Sequence, residues 1–265
     1  MNRLATAKRV QILKMLVEGS SMRSTARVAG VKLDTVTRLL VDAGRASLAF
    51  HNRTVKGVYS EQVQCDEIWS FCHTKQRNLK PSSPGTHGDI WTWTALDVNS
   101  RLIINWYIGR RDVQAAKRFM QGLRKRLTNI PVFATDGYKA YNAAIDYLYG
   151  ESAAHIQIVG QAKYVRQGDY ADAEDANTSL VERHNRTIRT GISRFARRTD
   201  AHSKKTENHR MAQALFFTYY NFVRPHTTLS EDRPTTPAMA AGLANEPYTL
   251  EWIVEMVNER VVKAA

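Results

Sequence analysis

A run of nine residues, 63–71 (VQCDEIWSF), constrains this chain more than any other segment, because it sets acidic side chains in the middle of an apolar strand. Burying a carboxylate costs free energy unless a partner compensates its charge. The period-two geometry of a strand puts Asp66 and Glu67 on opposite faces, so only one of them can serve a given site. We predict that Asp66 is a metal ligand and that Glu67 lies outside the site. The alternative is that Asp66 is a solvated residue on the open face of an antiparallel sheet.

The charge of the chain indicates a polyanionic partner. Lysines and arginines number 38 against 25 acidic residues, which gives a formal net charge of +13 and a pI near 9.9. The excess is concentrated, since residues 1–60 carry 11 basic and 3 acidic residues and residues 183–210 carry 9 and 2. Two basic surfaces follow, which favour nucleic acid first and an anionic membrane surface second. The alternative for each segment is a solvated helix face without a partner.

Cysteine spacing and apolar runs bear on the compartment. Cys65 and Cys72 stand seven positions apart on one predicted strand and therefore face opposite sides, which predicts no disulfide between them and a reducing environment. The sequence shows neither the apolar core of a signal peptide nor an apolar run of about 18 residues, so we expect no secretion and no membrane span. A cytoplasmic protein of two domains is the expectation.

The N-terminal residues show the pattern of a helix-turn-helix. Apolar positions recur at helical spacing within 9–17, 22–29 and 34–42, and helix-breaking residues separate these segments. In such a module the third helix enters the major groove. The residues predicted to touch bases are Lys32, Thr35, Thr37 and Arg38, and those predicted to contact phosphates are Arg23 and Arg27. The alternative is a three-helix scaffold that docks protein; residues 44–60 show little periodicity and are predicted to form a linker.

A second carboxylate stands at the end of a predicted strand. After strands within 63–71, 90–98 and 101–108 and a helix within 113–127, a short apolar strand ends at Asp136. The end of a strand is where α/β proteins commonly build their sites. The alternative is that Asp136 only caps the helix that follows. One more strand is predicted before an acidic loop of small residues from 160 to 177.

A third carboxylate, Glu182, lies on a predicted helix, on the side opposite to the apolar residues of that helix. One interpretation makes it a metal ligand flanked by the phosphate-binding residues Asn185, Arg186 and Arg189. The other is a capping box formed with Ser179.

The order strand, strand, strand, helix, strand, helix, strand, helix is that of the ribonuclease H-like fold, an α/β fold with a mixed five-stranded sheet. In that fold, carboxylates on the first strand, the fourth strand and a later helix converge. Phosphodiester cleavage without a covalent intermediate is helped by two Mg²⁺ ions about 3.5–4 Å apart, and hard cations prefer oxygen ligands. Three carboxylates on the three expected elements therefore favour the metal-ligand interpretation of each.

Six segments stand out as motifs: QCDEIWSF, GDIWTWTALD, ATDGYKAY, SLVERHNRTIR, FARRTDAHSKKTENHRMAQALFFTYYNFVRPHTTL and TPAMAAGL. They closely resemble bacterial insertion-sequence transposases of the Asp-Asp-Glu (DDE) class, specifically the insertion-sequence-one type and its single-reading-frame relatives. The resemblance runs from the helix-turn-helix to about Leu243. Some relatives carry a cysteine-rich zinc-binding segment ahead of the helix-turn-helix, and this chain has no cysteine before Cys65. End recognition is therefore left to the helix-turn-helix alone.

The resemblance implies that Asp66, Asp136 and Glu182 are the catalytic, metal-binding carboxylates. Metal ions held there would activate water to nick at a transposon end and then activate the liberated 3′-hydroxyl to attack target DNA. The implied cofactor is two Mg²⁺ ions, for which Mn²⁺ is an alternative, and Asp97 is the candidate for a fourth acidic ligand. The DNA contacts expected around the third carboxylate are His184, Asn185, Arg186, Arg189, Arg194, Arg197, Arg198, Lys204 and Lys205.

The implied partners are the double-stranded DNA of the terminal inverted repeats and of the target, with a homodimer or higher oligomer on DNA and no membrane. The implied location is the bacterial cytoplasm, with the nucleoid. Four segments are predicted: a helix-turn-helix domain (1–45), a linker (46–60), a ribonuclease H-like catalytic domain (61–230) and a helical C-terminal extension (231–265). The apolar face of the last helix is a candidate dimer surface.

We therefore predict a DNA transposase that binds transposon ends and cuts and joins strands by two-metal phosphoryl transfer. Two alternatives come from other classes of protein. One is a non-catalytic DNA-binding regulator derived from a transposase, and the other is a metal-dependent endonuclease that cleaves without joining.

Overall fold

A mixed six-stranded sheet with helices on both faces forms the centre of the molecule. The computed structural model describes residues 4–160, 162–168, 176–196 and 200–264. The strands are β1 (Gln62–Cys72), β2 (Gly88–Asp97), β3 (Ile103–Gly109), β4 (Val132–Asp136), β5 (His155–Val159) and β6 (Ala162–Gln167). The helices are α1 (Thr6–Val17), α2 (Met22–Ala29), α3 (Leu33–Thr54), α4 (Val113–Arg124), α5 (Lys139–Tyr149), α6 (Ser179–Gly191), α7 (Thr206–Thr218), α8 (Pro237–Ala240) and α9 (Leu250–Ala264).

The sheet has the strand order β3-β2-β1-β4-β5-β6. Strands β1 to β3 form an antiparallel meander, β4 runs parallel to β1, and β5 runs parallel to β4. This arrangement confirms the predicted α/β class and its ribonuclease H-like character. The predicted strand count was wrong, because β6 pairs antiparallel with β5 inside the expected loop. Its side chains at Lys163, Tyr164 and Arg166 are exposed, so this edge strand lacks the apolar alternation by which strands are predicted.

Two hydrophobic clusters hold the helices against the sheet. On one face, α4 and α5 pack through residues such as Phe119 and Tyr141 on the buried side chains of Cys65 and Trp93. On the other face, α6, α7 and the N-terminal helices share a cluster with Ile68 of β1. Helices on both faces leave only the ends of the strands open for chemistry.

The three N-terminal helices form the predicted helix-turn-helix pattern. The side chain of Ser21 caps α2 by accepting a hydrogen bond of 3.1 Å from the backbone N–H of Ser24, and Gly30 ends α2 with a left-handed φ of 64°. The third helix is longer than predicted, since α3 continues to Thr54 and the expected linker is helical over residues 46–54.

Small residues explain why the sequence concealed the second half of α3. A Cβ atom on Gly44 would lie 2.4 Å from the carbonyl oxygen of Met211 in α7, so this position tolerates only glycine. Ser47 is also fully buried. These residues let α3 and α7 approach closely but carry no hydrophobic signal, so the pattern indicated a linker.

The C-terminal helix α9 folds back onto the N-terminal helices. Its residues Ile253, Val254 and Val257 are buried in the same hydrophobic cluster as Ile12 of α1 and Leu40 of α3. The apolar face that was predicted as a dimer surface is therefore covered within the chain.

Cys65 and Cys72 are both buried free thiols, as predicted. Across the described ranges, no helix combines the length and the apolar character needed to cross a membrane.

Candidate functional site

The candidate site lies where β4 ends beside β1. The last pair in the parallel register of the two strands is Cys65 with Thr135, so Asp66 and Asp136 are the next residues on neighbouring strands. Two carboxylates predicted from separate motifs are thereby brought together at one edge.

Three carboxylates converge at this edge. One carboxylate oxygen from each of Asp66, Glu67 and Asp136 lies within 4.8 Å of the others. The prediction that Glu67 lies outside the site was wrong. Alternation does put it on the opposite face from Asp66, but β4 stops at Asp136 and leaves an open edge around which both side chains reach.

Asp66 is half-buried and has no cationic partner in the described part of the chain. Its Oδ1 accepts a hydrogen bond of 2.8 Å from the backbone N–H of Glu67, and its Oδ2 accepts one of 2.6 Å from the side-chain amide of Asn185. Burial raises the pKa of Asp66 to about 7, and the nearby carboxylates of Glu67, Asp136 and Glu182 add to the rise. A carboxyl group with this environment lacks a counter-charge.

Asp136 divides its two oxygens between a turn and the site. Oδ1 accepts a hydrogen bond of 2.9 Å from the backbone N–H of Tyr138, while Oδ2 lies 3.7 Å from Nη2 of Arg111. Helix α5 begins at Lys139 without a side-chain cap. Asp136 therefore does not cap α5. Its Oδ1 holds a turn, and its Oδ2 is not used by that turn.

Glu67 has the partners that Asp66 lacks. Its Oε1 accepts a hydrogen bond of 2.6 Å from Nε of Arg111, and its Oε2 accepts one of 2.8 Å from the hydroxyl of the fully buried Tyr141. Burial raises the pKa of Glu67, and the hydrogen bond from Arg111 opposes that rise. The guanidinium also lies over the rings of Tyr138 and Trp91, at 4.2 and 4.9 Å from their centroids.

Helix α6 is fixed on β1 by a residue that the sequence did not single out. The side-chain oxygen of the fully buried Gln64 accepts hydrogen bonds of 3.0 Å from the backbone N–H groups of Leu180 and Val181, in the first turn of α6. This contact places Glu182 on the same side of the sheet as Asp66. The only sign of this role in the sequence was the amide side chain of Gln64 within a predicted apolar strand.

Glu182 is exposed and lies outside the cluster of three carboxylate oxygens, although it is near enough to raise the pKa of Asp66. Its Oε1 accepts a hydrogen bond of 2.7 Å from the hydroxyl of Thr178. The capping box predicted with Ser179 does not form, because Ser179 is the first residue of the helix and its N–H donates to Asn177.

Two residues predicted to contact DNA are buried instead. Asn185 is 9% exposed and directs its amide at Asp66, so it positions a carboxylate and does not face solvent. His184 is 3% exposed and packs against Tyr220, with ring centroids 4.5 Å apart. Helical spacing correctly put Asn185 on the same side of α6 as Glu182. At Asn185, however, this side of the helix faces the edge of the sheet and not solvent.

The other predicted contacts around α6 fall into three groups. Arg186, Lys204 and Lys205 are exposed, and Arg189 is half-buried. Arg194 turns inward: its guanidinium donates to the hydroxyl of Ser203 at 3.2 Å, and burial lowers its pKa to about 10. The prediction that Arg194 grips DNA is therefore replaced by a structural role. Arg197 and Arg198 lie outside the described residues.

The helix-turn-helix presents its predicted DNA contacts toward solvent. Arg23, Arg27, Lys32 and Arg38 are exposed, and Thr35 and Thr37 are half-buried. The hydroxyl of Thr37 donates to the carbonyl of Leu33, at 3.0 Å.

Asp97, the predicted fourth ligand, has a structural role at the other end of β1. It pairs with Val63 in the sheet register and is 4% exposed. Its oxygens accept hydrogen bonds from the hydroxyl of Ser60 and from the backbone N–H of Ser100 at 2.7 Å. The fourth acidic residue near the site is Glu67.

The donor set at the sheet edge fits a hard divalent cation. Such ions take carboxylate oxygens as ligands, and here an oxygen of Asp66 and one of Asp136 lie within 4.8 Å of each other, while Asp66 forms no ion pair among the described residues. Burial and, after it, the neighbouring carboxylates raise the pKa of Asp66, and a bound cation would stabilise the ionised form of this side chain.

Comparison with known protein families gives one match, which covers part of the chain. Residues 87–190 match the protein family described as a DDE domain, of the IS240 transposase type. This segment includes Asp136 and Glu182 and begins after β1, so it does not include Asp66. No curated protein matches the chain.

Similar solved structures include complexes of a mariner transposase. The Mos1 strand transfer complex is 12% identical, with a TM-score of 0.27, and the match covers 81% of this chain and 77% of that chain. The mariner Mos1 paired-end complex with Mg is 11% identical, with a TM-score of 0.28 and coverage of 81% and 78%. TM-scores this low carry no argument, so what the comparisons contribute is the family match: residues 87–190 of this chain resemble a DDE domain.

Proposed function

We propose that this chain binds the ends of a mobile DNA element, cleaves the DNA there and joins the liberated strand to target DNA. The observation that carries the proposal is the convergence of Asp66 and Asp136 at one sheet edge, with Glu182 on the adjacent helix. The match to a DDE domain over residues 87–190 supports it. Cleavage and joining are both attacks of an oxygen nucleophile on a phosphodiester, so one site suits both steps.

In this proposal Asp66, Asp136 and Glu182 hold two Mg²⁺ ions, for which Mn²⁺ is an alternative. When bound, such ions stabilise the charge on the attacking and leaving oxygens of the phosphodiester. The amide of Asn185 holds the carboxylate of Asp66 in position through its 2.6 Å hydrogen bond. Glu67, already paired with Arg111, supports the site and is not a ligand.

The DNA surfaces of the proposal are basic and separate. The exposed residues Arg23, Arg27, Lys32 and Arg38, with Thr35 and Thr37, form the candidate surface of the helix-turn-helix for the terminal repeats. Arg186, Arg189, Lys204 and Lys205 form the candidate surface beside the carboxylates. Contacts of this kind to phosphates release counterions, so binding weakens steeply with salt.

Four finer features belong to the proposal. An active complex of two or more copies on DNA, a bacterial origin, and a location with the nucleoid in the cytoplasm are predictions from the resemblance. The fourth is the insertion-sequence-one type, which also stays a prediction, because the matching domain is of the IS240 type.

The test is a product assay with the full chain. Labelled double-stranded DNA from either side of the reading frame, where the ends of a mobile element lie, is incubated with the protein and Mg²⁺, or with a chelator as the control. Nicked and strand-transferred products that need Mg²⁺ support the proposal. Binding without cleavage indicates a regulator derived from a transposase, and nicks without joined products indicate a nuclease; either result overturns the transposase proposal.

A further inference from the structure

A cavity of about 350 Å³ lies beside α6, and three arginines from three parts of the chain line it. Arg101 comes from the turn between β2 and β3, Arg183 from α6, and Arg224 from the segment after α7. Arg183 directly follows Glu182 in α6, so the cavity and the candidate site share a helix but not a face.

The three guanidinium groups converge without a counter-charge. In the part of the chain that the structure describes, none of the three forms an ion pair with a carboxylate. His226 lies among them: burial lowers its pKa, and the charges of Arg101, Arg183 and Arg224 lower it further. Like charges gathered in this way repel one another, which an anion in the cavity would relieve.

Arg101 is held in the cavity wall by a costly backbone conformation. Its φ of 62° lies in the left-handed region, which an arginine rarely adopts. Its carbonyl accepts a hydrogen bond of 3.3 Å from the hydroxyl of Tyr220. Its Nε is buried and has no hydrogen-bond partner among the described residues. Nη1 of the same guanidinium donates to the carbonyl of Val98, so Arg101 is fixed in the wall although one of its buried donors has no acceptor.

His184, which also lines the cavity, has unpartnered buried nitrogens as well. It is 3% exposed, and both of its ring nitrogens are buried without a partner among the described residues. Burial lowers its pKa to about 3, so the ring is neutral near pH 7 and keeps one N–H donor. Arg101 and His184, whose unpartnered nitrogens are covered by the surrounding protein, thus belong to the wall of the same cavity as Arg183 and Arg224.

We propose that this cavity binds a phosphate group, gripped by Arg101, Arg183 and Arg224. A guanidinium presents two parallel N–H donors that match a pair of phosphate oxygens, and the planar fork of arginine suits this recognition better than the point charge of lysine. The source that we favour rests on the proposed function: a backbone phosphate of DNA that passes α6 next to the carboxylates. A free phosphate ion or a nucleotide offers the same chemistry.

The test compares the wild type with the double variant Arg183→Gln/Arg224→Gln, since both side chains are exposed and their loss does not threaten the core. Arg118→Gln is the matched control, because Arg118 is an exposed arginine of α4, which packs on the other face of the sheet. Unchanged unfolding temperatures in chloride buffer confirm that each variant is folded.

The first measurement uses inorganic phosphate. We expect phosphate to raise the unfolding temperature of the wild type and of Arg118→Gln above that in chloride of equal ionic strength. The double variant should lose this shift. The measurement needs neither DNA nor metal, so it tests the cavity even if the protein cleaves nothing.

The second measurement uses duplex DNA without divalent metal. Loss of a phosphate contact should weaken binding about 10-fold in the double variant and reduce the slope of log K against log salt by about one. Both shifts together assign the cavity to the DNA backbone. A phosphate shift with unchanged DNA binding assigns it to a free phosphate or nucleotide. If phosphate protects neither form and the salt slope is unchanged, the proposal is wrong.

Discussion

Two neighbouring residues, Asp66 and Glu67, show how the two sides of the sheet differ at the candidate site. On the α6 side, Asp66 receives an amide and a backbone N–H, and no cation lies beside it in the described structure. On the α4 and α5 side, Glu67 is held by Arg111 and by the buried hydroxyl of Tyr141. The charge of Glu67 is compensated within the chain and that of Asp66 is not, so Asp66 is the carboxylate left for a metal ion.

The largest effect is expected from Asp66→Asn. The substitution keeps the size of the side chain but removes the charge that a metal ion would share, so both cleaved and joined products should fall below detection. Binding to DNA should be unchanged, since the basic surfaces are intact, and a mobility-shift assay beside the product assay measures this. A variant that still cleaves at the wild-type rate would remove Asp66 from the proposed site.

The next test separates the two glutamates. Glu182→Gln should also lose both products, because it removes the charge of a proposed metal ligand. The exposed Glu182 forms no ion pair among the described residues, so its carboxylate is available to a metal ion. Glu67→Gln should keep both products at a rate about 10- to 100-fold lower, as is typical when a group that supports metal ligands is changed. Titration of Mg²⁺ with each variant gives the metal dependence. The reverse ranking would make Glu67 the third ligand and Glu182 a residue of the helix only.

A smaller effect concerns the stability of the Glu67 side. Tyr141→Phe removes the hydroxyl that donates a hydrogen bond of 2.8 Å to Glu67. Loss of a hydrogen bond to a charged, buried group costs about 1–3 kcal/mol. Tyr147→Phe is the control, since Tyr147 lies on the same helix and is 62% exposed. Urea unfolding should show a lower free energy of unfolding for the first variant only. Equal losses in both would mean that the hydroxyl of Tyr141 contributes nothing specific.

The last effect is a pH dependence of stability that belongs to Asp66. Its pKa is raised from the ordinary 3.8 to about 7 in the folded protein, so the folded state binds the proton more tightly than the unfolded state. The stabilising contribution is complete below about pH 4 and is lost as pH rises toward 7.

The measurement for this pH effect is the difference in unfolding free energy between the wild type and Asp66→Asn, without metal. It should fall between about pH 4 and 7 and stay level above, and excess Mg²⁺ should reduce the fall because the metal binds the ionised form. A flat difference would show that Asp66 titrates normally.

The sequence was most informative where residues alternate or repeat with strong apolar character. The strands of the meander and the helices α4 to α6 follow such patterns, and Asp136 was placed correctly because a short apolar strand ends there. The second half of α3 and strand β6 escaped prediction for a common reason. Gly44 takes part in helix packing through its backbone, and Lys163 takes part in strand pairing through its backbone. Neither contact requires an apolar side chain, so the sequence shows no periodic hydrophobic pattern there.

The site was only half predictable, because its details depend on where neighbouring elements stop. Period two correctly put Asp66 and Glu67 on opposite faces but could not show that β4 ends at Asp136 and opens an edge that both carboxylates reach. Arg111 lies far from Glu67 in the sequence, in a turn without a motif. The inward roles of Asn185 and Gln64 likewise depend on how α6 sits over β1.

The continuity of α3 has a consequence for how such a protein measures DNA. The helix has 22 residues and is therefore about 33 Å long, and it runs without a break from the helix-turn-helix into the seam with α7. If the first turn of α3 contacts the bases of a terminal repeat, a rigid helix and not a flexible linker connects this contact to the catalytic site. The helix then fixes the distance between the bases that are contacted and the bond that is cut. The chain would then recognise an end by its distance from the cleavage point as well as by its sequence.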